Sequence, residues 1–323
     1  MTPKPAKQLG IIVPCFNEQE MLPATHERLA SLLERMIAAG QIASSSRIYY
    51  VDDGSTDDTW NIIDTLSNAS DSVVGLRLSR NFGHQNAVMA GLLSASGDAL
   101  ISIDADLQDD IDVIPEMLER FQAGDEIVYG VRRERQSDTA LKRGSALLYY
   151  RLLKLLGVDV IHNHADFRLM SRKAVDCLKQ FSEVNLFLRG IVPLLGFQTG
   201  TVEYDRQERT AGQTKYNLRR MIALAINGIT SFSPAPLRMV AALGLIVFLL
   251  TVAMTFWVLW IRFFTDQAIP GWASSVIPIY FLGGLQLLSI GVLGEYISKL
   301  YLESKQRPRY FIAEITGDES AAD

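Results

Sequence analysis

Two stretches near the carboxyl end, Met239–Ile261 and Trp272–Gly294, each run for 23 residues without a charge. At 1.5 Å per residue a helix over either reaches about 34 Å, enough to cross a hydrocarbon core of about 30 Å. No other feature limits the fold so strongly. Such segments are either buried helices of a large core or membrane spans, and their length favours spans. Trp257, Trp260 and Trp272 cluster at the facing ends, where interfacial aromatic residues gather. The connection Arg262–Gly271 is short and holds a single Arg and a single Asp, so the expectation is a two-helix hairpin.

Basic residues orient it. Arg209, Lys215, Arg219, Arg220 and Arg238 precede the first span, with no acid between Arg209 and Arg238, and Lys299, Lys305, Arg307 and Arg309 follow the second. The positive-inside rule then puts both flanks in the cytoplasm. Tyr216–Phe232 has the spacing of an amphipathic helix, with Leu218, Met221, Ile222, Ala225, Ile226 and Ile229 on one face. Docking on the membrane surface and packing on the domain fit it equally, and the adjoining span favours the former.

The rest of the 323 residues suffices for one large domain with a proper core. A net charge of −5 and a pI near 5.5 argue against a nucleic-acid binder. Mean hydropathy is +0.13, and the apolar excess sits in the two uncharged stretches. Cys15 and Cys177 are the only cysteines, without metal-type spacing or a disulfide framework. Met1–Leu9 is Pro/Lys-rich with no apolar run, so no signal peptide is expected and the domain should stay in the cytoplasm.

From Leu9 the pattern alternates. Leu9–Pro14, Arg47–Val51, Val73–Leu78, Ala99–Ile103 and Glu126–Val131 are short apolar, β-branched runs. Helical stretches separate them: Glu18–Ala39, Asp57–Asn68, Gln85–Ser94 and Ile111–Phe121. This predicts an α/β domain, a largely parallel sheet covered by helices, with its ligand outside the carboxyl ends of the strands. Acids gather at those ends: Pro14-Cys15-Phe16-Asn17-Glu18 after the first strand, Asp52-Asp53-Gly54-Ser55-Thr56-Asp57 after the second, Asp104-Ala105-Asp106-Leu107-Gln108 after the fourth. For Ser55, Thr56 and Asp57 helix capping is the better reading. Three acidic strand ends on one rim repel one another, so something positive belongs there. Asp104 and Asp106, with Gln108 a third candidate, offer hard oxygen ligands suited to Mg²⁺ or Mn²⁺ shared with substrate phosphates. No glycine-rich phosphate loop occurs, so a diphosphate here would be held by metal and Arg.

These three motifs resemble glycosyltransferase family 2. With the two-span tail, the chain is similar to its polyisoprenyl-phosphate branch, the bactoprenol glucosyltransferases and dolichol-phosphate mannose synthases. The resemblance runs from about Leu9 to Phe311. It includes Arg80-Asn81-Phe82-Gly83-His84-Gln85, Asp166-Phe167-Arg168-Leu169-Met170, Gly294-Glu295-Tyr296-Ile297 and Arg307-Pro308-Arg309-Tyr310-Phe311. It implies a GT-A-type nucleotide-sugar domain over 1–212, an amphipathic region over 213–237, a membrane hairpin over 238–296 and a cytoplasmic tail over 297–323. By position, Pro14, Phe16, Glu18, Val51 and Asp53 match residues that bind the base and ribose. Asp104, Ala105, Asp106 and Gln108 match the metal and diphosphate site. Arg132, and Arg209 with Lys215, match basic residues on donor or acceptor phosphates. Asp166 matches an acid proposed as catalytic base in some members, although Ala165 stands before it where relatives carry Gly.

The implied reaction is inverting, metal-dependent transfer of a hexose, UDP-glucose being the expected donor, to undecaprenyl phosphate at a bacterial inner membrane. UDP-N-acetylglucosamine, GDP-mannose and UDP-aminoarabinose are alternative donors. A dianionic phosphate acceptor needs no general base, so Asp166 is expected to position rather than to deprotonate. A processive synthase would carry Q-x-x-R-W, and Arg-Trp occurs nowhere in the chain. A membrane adaptor would leave three acidic strand ends unexplained. His162-x-His164 is expected to be loop polarity rather than a metal site, and His84 either approaches the phosphates or caps a helix. Arg132, Arg133, Arg135, Lys142 and Arg143 fit an anion-gathering loop, and Glu295 an interfacial position. A homo-oligomer is compatible with so small an anchor.

Overall fold

The computed structural model describes residues 6–133, 164–183, 188–205, 235–264 and 272–317. The expectations for Arg135, Lys142, Arg143, His162, Arg209, Lys215 and the helix over Tyr216–Phe232 lie outside the described residues. The chain divides into two compact units. The larger contains the described residues up to Tyr204 and again Gln306–Gly317, and the smaller holds two long helices.

In the larger unit, β1 (Leu9–Cys15), β2 (Arg47–Asp52), β3 (Val73–Leu78) and β4 (Ala99–Ser102) alternate with α1 (Leu22–Ala38), α2 (Thr59–Ala69) and α3 (His84–Ser94). A single 3₁₀ turn, Ile111–Val113, leads into α4 (Ile114–Ala123) and β5 (Ile127–Arg132). Then follow β6 (His164–Ser171), α5 (Arg172–Leu178), α6 (Leu188–Leu194) and β7 (Thr199–Tyr204). The smaller unit is α7 (Ala235–Phe264) and α8 (Trp272–Ser304), after which β8 (Ile312–Thr316) returns to the larger one.

One sheet of eight strands forms in the order β7-β5-β6-β4-β1-β2-β3-β8. β1 pairs parallel with β2 and β4, β2 with β3, and β5 with β7. β6 runs antiparallel between β4 and β5, and β8 antiparallel along β3. The sequence LGIIVPC of β1 is buried at every position, as a strand covered on both faces must be. α1 buries Leu22, Leu29, Leu32, Leu33 and Met36 at helical spacing. It starts at Leu22 rather than Glu18, because Asn17 takes a left-handed φ of 55° and the next residues turn. Gly124, at φ +114°, ends α4 in the left-handed conformation.

The sheet is mostly parallel, as expected, and it also holds β6, β7 and β8, which the alternation did not show. β6 escaped because its centre is charged: Arg168 is only 1% exposed within it, against the usual habit of charged side chains. The segment from 297 is not a simple tail, since α8 continues to Ser304 and Ile312–Thr316 becomes a sheet strand. Among the described residues no helix is long and apolar enough to cross a membrane. α7 and α8 cover the two uncharged stretches of the sequence.

Candidate active site

The rim at the carboxyl ends of β1, β2, β4, β5 and β7 carries those of the singled-out loop residues that the structure describes. The β1 and β2 loops are laced together. The Asn17 amide donates to the Ser55 hydroxyl at 2.9 Å, the Thr56 amide to Asn17 Oδ1 at 2.9 Å, and the Glu18 amide to the Thr59 hydroxyl at 2.9 Å. The cap position of α2 is Asp58, which makes no side-chain capping bond; Asp57, just before it, accepts from the Thr59 amide and hydroxyl, while Ser55 and Thr56 serve the β1 loop. Pro14 and Val51 are buried in their strands, Glu18 is half-buried, and Phe16 stands 39% exposed.

Asp53 is buried, and both its oxygens are engaged: Oδ1 accepts from the Phe82 amide at 2.7 Å and Oδ2 from the Gly83 amide at 2.9 Å. Burial pushes its carboxyl up against the pull of those two amides. Its observed task is to hold the loop before α3, which the resemblance alone did not indicate.

The centre of the rim is set by strand register. β4 and β6 pair Ser102 with Arg168, and extending that antiparallel register by two residues sets Asp104 opposite Asp166. The Ser102 hydroxyl donates to the Asp166 carbonyl at 2.7 Å. His84, first residue of α3, lies between the two acids, its Nε2 3.5 Å from Asp104 Oδ1 and 3.6 Å from Asp166 Oδ2. It makes no capping bond at the helix start, where Gly83 is the cap residue. Asp166 also accepts from Arg168 Nη2 at 3.0 Å and, bidentately, from Arg189 Nε at 3.1 Å and Nη2 at 3.2 Å.

The positive groups that the acid cluster demanded are thus Arg168 and Arg189, with His84 set between the two acids. Burial would raise Asp166, but the His84 hydrogen bond and both guanidinium charges hold its carboxyl well below the usual range. Asp104 goes the other way. Burial, helped by Asp166, Asp109 and Asp106, outweighs the pull of His84 and pushes it up to about 6.

Arg132, expected on substrate phosphate, donates through Nη2 to Asp109 Oδ1 at 3.0 Å and through Nε to the Tyr204 hydroxyl at 3.1 Å. Tyr204 in turn donates to Asp109. Asp109, 1% exposed, thereby ties the loop after β4 to the ends of β5 and β7. Burial together with the Asp109 charge raises the Tyr204 phenol far above its ordinary value, so it remains a donor. On the same loop Ala105 and Gln108 are buried and Asp106 Oδ1 accepts from the Gln108 amide at 3.2 Å.

Sequence reading missed Arg189, Asp109 and Tyr204. Arg189 had no signal, since it lies 23 residues from its partner on a separate short helix. Asp109 adjoins the Asp104–Gln108 motif, which was the available clue.

Among the described residues no group of three or more His, Cys, Asp and Glu side chains is arranged to hold a metal ion. A magnesium-like ion needs less, because it keeps waters and takes substrate phosphate oxygens beside one or two carboxylates. Asp104 and Asp106 supply hard oxygens from one loop at the rim. The residues present fit a divalent cation of that kind.

Known proteins are similar to this chain over most of its length. The "Uncharacterized glycosyltransferase YkoT" of Bacillus subtilis is 49% identical over 94% of this chain and 90% of its own length. The "Prophage bactoprenol glucosyl transferase homolog" of Escherichia coli is 41% identical over 95% of this chain and 99% of its own. The "Bactoprenol glucosyl transferase" of Shigella phage SfV is 42% identical over 94% and 98%. The sequence pattern of glycosyl transferase family 2 matches residues 10–179, from β1 through β6 and the end of α5, and to that family this chain belongs.

Proposed function

We infer that this glycosyltransferase moves glucose from UDP-glucose to a membrane polyprenyl phosphate such as undecaprenyl phosphate. The observation that carries the reading is likeness over nearly the whole chain to proteins named bactoprenol glucosyl transferase. The acid-lined rim supports a nucleotide-sugar donor. The smaller unit supports a lipid acceptor. Its two helices include the uncharged stretches of 23 residues. Large apolar side chains such as Leu249, Phe256, Trp260 and Leu287 stand more than half exposed on it, as they would toward lipid and seldom do toward water.

Pro14 and Val51 would floor the nucleoside pocket, Phe16 would offer its exposed ring to the base, and Glu18 with Asp53 would order the loops around the ribose. Asp104, Asp106 and Gln108 would hold Mg²⁺ or Mn²⁺, which when bound offsets charge developing on the departing diphosphate. Arg209 and Lys215 are proposed to gather the acceptor phosphate. An acceptor oxygen forms the bond to the anomeric carbon, the bond from that carbon to the diphosphate breaks, and its electron pair leaves with the nucleoside diphosphate. A single displacement inverts configuration. The phosphate monoester, with a second pKa near 6, is largely a dianion at pH 7, so no proton need move. Asp166, fixed by Arg168 and Arg189, would orient the reactants instead of acting as base.

The test is incubation of the full chain in membranes with undecaprenyl phosphate and labelled UDP-glucose, UDP-N-acetylglucosamine, GDP-mannose or UDP-aminoarabinose. Label is expected in the lipid fraction with UDP-glucose and Mn²⁺, and not after EDTA or with Asp104→Asn. Transfer from another donor alone would overturn the choice of glucose, and undiminished turnover in EDTA the choice of a metal.

A further inference from the structure

The strand that closes the sheet at one edge, β8, is the last of the described strands, and the residues leading into it reach the loop bonded to Asp53. β8 pairs with β3 from Gly75 opposite Thr316 to Leu78 opposite Ile312, and the Ser67 and Thr316 hydroxyls lie 2.8 Å apart. Just before β8, the Phe311 carbonyl accepts from the Ser79 amide at 3.0 Å, and Arg309 donates to the Phe181 carbonyl. The Phe311 ring meets that of Phe82 with centroids 6.3 Å apart and planes at 57°, a favourable tilted geometry. The Arg80 guanidinium lies 4.1 Å from the centre of the Phe82 ring.

The loop Ser79–Gly83 is thus held from two sides. On one side is the Asp53–Gly54 turn, so close that a Cβ on Gly54 would come 2.5 Å from the Arg80 carbonyl carbon and 2.6 Å from the Asn81 nitrogen. On the other is Phe311. Both amides on Asp53, those of Phe82 and Gly83, come from this loop, and it leads directly into His84 between Asp104 and Asp166.

We propose that Phe311 is a positioning residue of the donor site: by packing on Phe82 it fixes the loop that orients Asp53 and His84, so the site is complete only when β8 has docked. The proposal rests on the reading of this rim as the donor site. It needs no substrate to be tested structurally.

Amide hydrogen exchange on the resting full-length protein provides that test. Phe311→Ala should speed exchange at Phe82 and Gly83 by about three- to tenfold, the equivalent of one aromatic contact. Leu76 and Ile315 should keep their protection, and Phe311→Leu should restore most of it at the loop. Unchanged exchange at Phe82 and Gly83 would overturn the proposal, as would an equal rise across β3 and β8, which would make Phe311 a general stabiliser. With donor, Phe311→Ala should raise KM for the nucleotide sugar by a similar factor at unchanged KM for the polyprenyl phosphate, and Phe311→Leu should bring most of it back. A raised acceptor KM alone would also count against it. Absence of transfer by the wild type would defeat the functional reading and leave the exchange result to decide on Phe311.

Discussion

A carboxylate that is to take up a proton in catalysis works best with a pKa near the working pH, and Asp166 is held far from it. His84, Arg168 and Arg189 all stabilise its charged form. In a group so depressed, the ion pairs contribute stability above the ordinary carboxylate pKa, and that contribution is lost only as pH falls through the lowered value. Between pH 5 and 8 Asp166 therefore stays ionised and cannot produce an acidic limb in the rate. Asp166→Asn removes the charge that balances two guanidinium groups but keeps the shape. The expected outcome is a loss below about 100-fold, smaller than a full general base supplies, with a limb near pH 6 that survives because the groups titrating there, the acceptor phosphate and Asp104, are still present. Single-turnover rates at saturating Mn²⁺ check this. A loss of about 10³-fold with the limb gone would restore Asp166 as the base.

Strands and turns differ in how openly the sequence declares them. β1, β2 and β3 are continuous apolar runs and were placed within a residue or so of where they lie. The acidic loops after β1, β2 and β4 were equally plain, because carboxylates gathered at strand ends on one rim serve no core. β6 and β7 were hidden, one by buried Arg168, the other by an alternation of exposed and buried residues too short to stand out between neighbours. β8 was hidden for a different reason: it lies beyond the long helices, and its partner β3 is more than 230 residues earlier, at Gly75 against Thr316. Partners of the site residues share this difficulty, since Arg189 reaches Asp166 only through folding. Gly54 shows the opposite case, a glycine whose need is local. Its φ is +67° and its missing side chain admits the Ser79–Gly83 loop. Gly40 has a similar φ of +68° with open space around it. Gly40→Ala should cost only the left-handed strain, about 1–2 kcal/mol. Gly54→Ala must also displace backbone and should lower the melting temperature clearly further while weakening nucleotide binding. Equal melting temperatures for the two variants would show that the close approach carries no weight.

For the whole molecule the decisive fact is where the chain goes after α8. β8 lies in the same sheet as β1, through β3 and β2. A strand cannot hydrogen-bond to a partner across a bilayer, so the segments before α7 and after α8 must share one side. If these helices enter a membrane, they cross it an even number of times in total, and both span or neither does. On the proposed hairpin, the basic residues on both flanks, Arg209 to Arg238 before and Lys299 to Arg309 after, would make the shared side the cytoplasm. The same pairing makes a reporter placed inside β8 a poor probe, since it would break the edge strand it is meant to locate. Reporters are better fused at the amino terminus and after the last residue, with a third inserted within Thr265–Ile269. The first two are expected to report a cytoplasmic position and the third an external one. Protection of all three on the cytoplasmic side would show that α7 and α8 lie along the membrane without crossing it. A split between the two termini would contradict the pairing of β8 with β3 itself.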